Sequence, residues 1–215
     1  MKIGVFDSGR GGEFIAQGLR TLLPEHEYIV VNDRDNVPYG SRTDQEVASL
    51  TEMAIQPLLR AHCPIIVIAC NTATMASISY LRSTYADTHF VGIEPMIKPA
   101  AMDSHSHHVT VLATPLTLAS VRYTHLKSSY AHDTIIDEPD TSGWASHIEH
   151  DQGGLISLDG VTHSVTQGSD TIILACTHYL ALKKRLHEAF PSASILEPTE
   201  AIAQQISVLR DEHDL

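Results

Sequence analysis

Cysteine is scarce in this chain and basic residues are outnumbered. Only Cys63, Cys70 and Cys176 occur, so any disulfide leaves one thiol over, and no Cys-x-x-Cys pair exists to support dithiol exchange. Lys and Arg number 14 against 26 Asp and Glu, a formal charge of −12. Phosphate neutralisation requires a basic surface, so this balance excludes non-specific nucleic-acid binding and a polybasic membrane face. Long hydrophobic runs are missing too. Met1-Lys2 leads straight into Ile-Gly-Val-Phe, with no stretch long enough for a signal peptide or a membrane helix, and the expected location is the cytoplasm. Neither G-x-G-x-x-G nor a Walker loop is present. None of Lys2, Lys98, Lys127, Lys183 and Lys184 falls at a strand end where a pyridoxal Schiff base would form.

What is present is a repeated pattern. Thr171–Tyr179 reads Thr-Ile-Ile-Leu-Ala-Cys-Thr-His-Tyr, and Ile65–Thr72 reads Ile-Ile-Val-Ile-Ala-Cys-Asn-Thr. Each is a short aliphatic run bounded by polar residues, the signal of a strand buried on both faces in a parallel sheet. Cys70 and Cys176 then fall at equivalent carboxyl ends of two strands, where open α/β sheets place their ligands. Cys63, ahead of Pro64, reads as a small buried hydrophobe.

Strand–helix alternation runs the length of the chain and predicts an α/β fold with parallel sheets. Strands are expected at Lys2–Phe6, Tyr28–Val31, Ile65–Ala69, Phe90–Ile93, Val109–Ala113, Thr134–Ile136, Thr171–Ala175 and Ser194–Leu196. Helices are expected at Gln45–Leu59, Thr74–Tyr85, Leu118–Ser129, Trp144–His150, Leu180–Phe190 and Glu200–Leu209, with a short one within Pro95–Met102. The pattern restarts near Val109, which suggests two similar halves with a ligand between them. The glycine-rich turn Asp7–Gly12 opens a helix and would suit an anion, but taken by itself it reads as a plain strand-to-helix turn. Pro38-Tyr39-Gly40 is a turn whose tyrosine is either a surface residue or a pocket wall. Ser104–His108, Ser-His-Ser-His-His, invites a metal; no further ligand follows at a recognisable spacing, and a solvated loop is the expectation.

Two cysteines facing one carbon can remove a proton from one side and return one to the other, because a thiolate is a base and a thiol an acid. A free thiol near pKa 8.5 needs help to ionise at neutral pH. Asp7 ends the first strand near the expected position of Cys70, and His178 stands two residues past Cys176, so each thiol has a helper. A zinc site on Cys176 and His178 is short of ligands. Proton transfer without a cofactor is the reading that remains.

At these residues the sequence resembles the aspartate/glutamate racemase superfamily, and most closely its glutamate-specific members. The matching motifs run in order: Gly-Val-Phe-Asp-Ser-Gly-x-Gly-Gly at Gly4–Gly12, Pro-Tyr-Gly at Pro38–Gly40, Ala-Cys-Asn-Thr-Ala-Thr at Ala69–Thr74, Gly-Ile-Glu-Pro at Gly92–Pro95, Ala-Thr-Pro-Leu-Thr at Ala113–Thr117 and Ala-Cys-Thr-His-Tyr at Ala175–Tyr179. The resemblance implies two pseudo-symmetric flavodoxin-like domains, residues 1–96 with 199–215 and residues 97–198, with the active site in the cleft between them. It implies no cofactor and no metal, glutamate as substrate, and interconversion of its L and D forms for peptidoglycan synthesis. Aspartate, another amino acid, or a non-catalytic binder of an acidic amino acid are the alternatives, and a homodimer is an allowed assembly. Carried over by position, Cys70 and Cys176 resemble the acid/base pair, with Asp7, His178 and Glu149 assisting. Ser8, Pro38, Tyr39, Gly40, Asn71, Thr72, Thr114, Thr117 and Thr177 match substrate-binding positions. The departures are Arg10 and Glu13-Phe14 after Asp-Ser-Gly, Leu180 after Thr-His-Tyr, a changed stretch at Asp137–Trp144, and a short tail after Glu197-Pro198-Thr199.

Overall fold

The computed structural model describes residues Met1–Leu215, and the chain divides into two compact units, Met1–Glu94 with Pro198–Leu215, and Pro95–Glu197. No helix is long and apolar enough to cross a membrane.

In the first unit the chain runs β1 (Lys2–Asp7), α1 (Gly11–Leu22), β2 (Glu27–Asn32), α2 (Asp44–Ala54), α3 (Gln56–Arg60), β3 (Ile65–Ile68), α4 (Asn71–Thr84) and β4 (His89–Gly92). All pairings are parallel and the sheet order is β2-β1-β3-β4. The chain leaves β1 for β2 on one side and returns to β3 on the other, so β1 and β3 enclose the point where the winding reverses, the place where open α/β sheets bind ligands. Every residue of β3 is fully buried, as expected of an inner strand covered on both faces.

The single helix expected over Gln45–Leu59 is two helices. Pro57 lacks the N–H that a continuous helix would use and its ring crowds the preceding turn, so the axis breaks around Ile55. The start of α2 is fixed by a capping box in which Thr43 Oγ1 accepts from the Glu46 amide while the Glu46 carboxylate accepts from the Thr43 amide. The helix expected from Thr74 begins at Asn71, so Cys70 is itself the residue that caps α4.

The second unit contains α5 (Ile97–Asp103), β5 (His108–Leu112), α6 (Pro115–Ala119), α7 (Val121–Tyr130), β6 (Ile135–Asp137), α8 (Trp144–Glu149), α9 (Asp159–Thr166), β7 (Thr171–Leu174), α10 (Lys183–Ala189) and β8 (Ser194–Leu196). Its order, β6-β5-β7-β8, all parallel, repeats that of the first sheet. The helix expected over Leu118–Ser129 breaks at Ser120, whose extended backbone and side-chain oxygen cap α7 by accepting from the Tyr123 amide. The helix expected from Leu180 is replaced by 3₁₀ turns over Thr177–Leu182, and α10 starts only at Lys183. The tighter winding buries Thr177, His178, Tyr179 and Leu182 together. Leu182, Leu186 and Phe190, the apolar stripe read from the sequence, all lie in one core cluster with Trp144 and Tyr179.

The chain then returns to the first unit with α11 (Thr199–His213). Thr199, Ile202, Ala203 and Ile206 are its buried residues. It lies so close to α1 that a methyl group on Gly18 would stand 2.6 Å from Thr199 Cγ2, which explains glycine there.

Ser104–His108 is a turn organised by a carboxylate. Asp170 Oδ1 accepts from Ser104 Oγ at 2.6 Å and from Thr171 Oγ1 at 2.9 Å, and its Oδ2 accepts from the amides of His105 and Ser106, both at 2.8 Å. His108, buried, pairs through Nε2 with Asp137 at 2.8 Å. Taking the carboxylate out of water would raise its pKa, but the donors from Ser104, Ser106 and Thr171 outweigh that and hold it at about 2.

Candidate functional site

Both sheets place a cysteine at the same structural position. In the first unit Phe6 lies opposite Ile68 across the β1/β3 ladder, and the Ala69 amide extends it by donating to the Phe6 carbonyl at 2.7 Å. In the second, Leu112 lies opposite Leu174, and the Ala175 amide donates to the Leu112 carbonyl at 2.9 Å. One residue further, Cys70 and Cys176 have matching extended backbones, φ −123 and ψ 122 against φ −141 and ψ 130. Each stands at the reversal point of its own sheet. Cys63 is buried at the opposite, entering end of β3.

The surroundings of the two thiols differ. Cys70 Sγ lies 3.3 Å from Ser8 Oγ and accepts from the Ala73 amide at 3.5 Å, in the first turn of α4. Those donors and the helix start favour a thiolate. Burial and the nearby charge of Asp7 oppose them and win, and the thiol is pushed up to about 11. Asp7 is fully buried at the end of β1, with its Oδ1 accepting from the Gly9 amide at 2.8 Å. Gly12 permits this approach, because a methyl group there would meet Asp7 Cβ at 2.8 Å and Asn32 Oδ1 at 2.6 Å. Asn71 and Thr72, both buried, form the first turn of α4.

Pro38, Tyr39 and Gly40 lie in the loop after β2. Pro38 follows a cis peptide bond, and Tyr39 is buried against Phe6 with ring centroids 6.4 Å apart. Its hydroxyl donates to Asp33 Oδ2 at 2.7 Å. Burial and that bond keep the phenol protonated well above its usual range, with Cys70 adding a smaller push. Asp33 also accepts from Asn36 Nδ2, so one carboxylate shapes the loop. Sequence reasoning missed Asp33; its spacing from Tyr39 is not periodic and gave no signal.

Around Cys176 the neighbouring titratable group is a histidine. Sγ lies 3.9 Å from His178 Nδ1, and His178 Nε2 lies 2.8 Å from Glu149 Oε2. Both partners are largely buried, with 7% and 12% of their side chains exposed. A carboxylate accepts only, so Nε2 carries a proton, and in the neutral ring the Nδ1 lone pair is left toward the sulfur. Cys176, His178 and Glu149 thus form a thiol–imidazole–carboxylate series, the geometry that activates a nucleophile or base. Thr114 caps α6 by accepting from the Thr117 amide, and the two threonine hydroxyls lie 3.0 Å apart. Thr177 is buried directly after the cysteine.

Superimposing the two ladders in register sets Ser8 against Thr114, Asp7 against Ala113, Asn71 against Thr177 and Thr72 against His178. The thiols and the hydroxyls beside them are therefore repeated, whereas the titratable groups near them are not. The carboxylate of the first unit sits on β1, and the imidazole of the second follows β7. A residue not anticipated from sequence, Thr141, stands behind the second constellation, with its hydroxyl bonded to the Ala113 carbonyl and its own carbonyl accepting from Tyr179 Oη.

The family model described as Asp/Glu/Hydantoin racemase matches residues 13–206. Among curated proteins, the chain is similar to a glutamate racemase of Ectopseudomonas mendocina (strain ymp), at 37% identity over 221 residues, covering 99% of this chain and 83% of that protein. It is also similar to one of Herpetosiphon aurantiacus, at 38% identity, covering 99% and 86%. Among solved structures, Escherichia coli glutamate racemase in complex with L-glutamate and the activator UDP-MurNAc-ala aligns with a TM-score of 0.85 at 29% identity, covering 99% of this chain and 82% of that one.

Proposed function

The chain belongs to the Asp/Glu/Hydantoin racemase family and is an amino-acid racemase, and we propose that it interconverts L- and D-glutamate by proton transfer between Cys70 and Cys176. The observation that carries this reading is the repeated cysteine, at the same register position beyond β3 and β7, with a different helper at each. A racemase must act on two mirror-related faces of one carbon, so it needs an acid/base group on each, and two cysteines meet that need. At any moment they must differ in protonation, one thiolate and one thiol.

The unequal helpers supply that difference. Burial and Asp7 keep Cys70 protonated at neutral pH, making it the proton donor of the resting enzyme. His178, aligned by Glu149, takes the proton of Cys176 and makes it the base. The Cys176 thiolate removes the Cα proton, the electron pair spreads into the α-carboxylate, and the Cys70 thiol delivers its proton to the opposite face. The protonation states are then exchanged, and the enzyme is set for the reverse reaction. Ser8, Tyr39, Asn71 and Thr72 on one unit, and Thr114, Thr117 and Thr177 on the other, are assigned to the ammonium and two carboxylates of the substrate. Hydroxyls and amides bind carboxylates most strongly in dry surroundings, and the charge they hold grows as the carbanion forms. Pro38 and Gly40 shape the loop that carries Tyr39. No cofactor is required by this scheme. We assign the cytoplasm as its location, D-glutamate for peptidoglycan as its product, and a homodimer as its assembly on the same family ground.

The test is racemisation of glutamate, aspartate and a hydantoin by the wild type and by Cys70→Ser and Cys176→Ser. The reading requires glutamate to be preferred and each variant to lose about 10²–10⁴-fold in rate. Full activity in either variant, or preference for aspartate, contradicts it.

A further inference from the structure

Thr141 lies in the loop between β6 and α8 and is buried. Its hydroxyl donates to the carbonyl of Ala113 at 2.5 Å, the residue directly before Thr114 at the end of β5. Its carbonyl accepts from Tyr179 Oη at 3.4 Å and from the Trp144 amide at 3.1 Å, the first residue of α8. Trp144 in turn meets the Tyr179 ring edge-on, with centroids 5.6 Å apart. Tyr179 is fully buried, and its amide closes the first 3₁₀ turn on the Cys176 carbonyl at 2.9 Å.

Three segments therefore meet at one residue: the corner bearing Thr114, the turn bearing Cys176 and His178, and the start of the helix that ends with Glu149. We propose that Thr141 is a positioning residue for the Cys176 side of the reaction, setting His178 against both the Cys176 sulfur and Glu149. The contact most exposed to disturbance is the longest one, the 3.9 Å from Cys176 Sγ to His178 Nδ1. A side chain that withdraws its hydroxyl from Ala113 lets the loop and Tyr179 shift together, and a sub-ångström shift is enough to break so long a contact. The inference rests on the two-thiol reading above only for its effect on turnover; the geometry of the Cys176 relay stands without it.

The test uses the full chain and two readouts. Alkylation of Cys176 and Cys70 by iodoacetamide is followed site by site by mass spectrometry across pH, and kcat and KM are measured for glutamate. Thr141→Val keeps the branched shape and removes the donor, and Thr141→Ser keeps the donor. In Thr141→Val the midpoint of Cys176 alkylation is expected to rise by about one pH unit and kcat to fall about tenfold, with KM changing less than about threefold, because a misplaced group costs rate more than affinity. Thr141→Ser is expected to restore both, and the Cys70 profile to stay unchanged throughout. A wild-type Cys176 profile in Thr141→Val overturns the proposal, as does a kcat loss that Thr141→Ser fails to rescue. If Thr141→Val does not fold, Tyr179→Phe carries the same expectation of a raised Cys176 midpoint, and an unshifted one overturns it. Alkylation needs no turnover, so a wild type that fails to racemise glutamate defeats the functional reading while leaving this inference testable.

Discussion

Glu149 Oε2 stands 2.8 Å from His178 Nε2, and this bond decides which ring nitrogen faces Cys176. Replacing Glu149 by Gln keeps an oxygen able to accept from Nε2–H but removes the carboxylate's charge. Glu149→Gln is expected to lower kcat about tenfold, roughly 1.4 kcal/mol of transition-state stabilisation, with little change in KM. Steady-state kinetics read this directly, and wild-type kcat would show that the carboxylate plays no part.

Cys70 should alkylate slowly at neutral pH. Its thiol is held at about 11 by burial and then by Asp7, so the rate should rise about tenfold per pH unit up to that midpoint. Asp7→Asn removes the neighbouring negative charge and should move the midpoint down. A midpoint near the ordinary value of a free thiol in the wild type would remove the basis for calling Cys70 the resting acid. The same shift affects stability. The folded thiol keeps a proton that the unfolded one has lost, so unfolding free energy should fall as pH rises from about 9 toward about 11, and Cys70→Ser should flatten that slope in urea titrations.

Asp170 gives the opposite pH signature. Its folded pKa of about 2 lies below the ordinary 3.8, so its contribution is present above about pH 4 and lost as pH falls toward 2. Asp170→Ala removes the acceptor shared by the hydroxyl of Ser104 and the amides of His105 and Ser106, and should cost about 1–3 kcal/mol at pH 7. The cost should shrink toward pH 2. A pH-independent difference in unfolding free energy would assign the loss to something other than the charge.

Gly12→Ala should disable the first unit's site without unfolding it. The added methyl group would stand 2.6 Å from Asn32 Oδ1 and 2.8 Å from Asp7 Cβ, so Asp7 must move. Overpacking of this kind costs about 1–3 kcal/mol, whereas displacing Asp7 should reduce kcat much more. A normal kcat with a lowered melting temperature would separate Asp7 from the chemistry.

The sheets were legible because β3 and β7 are buried on both faces and read as unbroken aliphatic runs, each ending in Ala-Cys. The candidate site residues that stay close in sequence to such a run could be named from it: Cys70 with Asn71 and Thr72, Cys176 with Thr177 and His178. Contacts made across the fold left no local signature. Asp170 reaches back to Ser104–Ser106, Thr141 reaches Ala113 and Tyr179, and Asp33 holds Tyr39. No spacing in the chain announces such pairs. Helix starts were misread for a related reason. Apolar periodicity in α4 begins inside the helix, whereas its first turn carries the polar Asn71, Thr72 and Thr74. The turns after Cys176 are 3₁₀ because burying His178 and Tyr179 together overrides the amphipathic pattern that predicted one helix from Leu180.

The central claim is that two different groups serve the two faces of Cα, and solvent deuterium tests it most directly. L-Glutamate is incubated with the enzyme in deuterated water and sampled early, and the Cα hydrogen of each recovered enantiomer is measured. Two monoprotic thiols predict that newly formed D-glutamate is deuterated while the remaining L-glutamate retains its protium, because the acid that delivers the hydrogen is not the base that removed it. Protium carried over into D-glutamate, or deuterium entering recovered L-glutamate as fast as D-glutamate forms, would contradict the account.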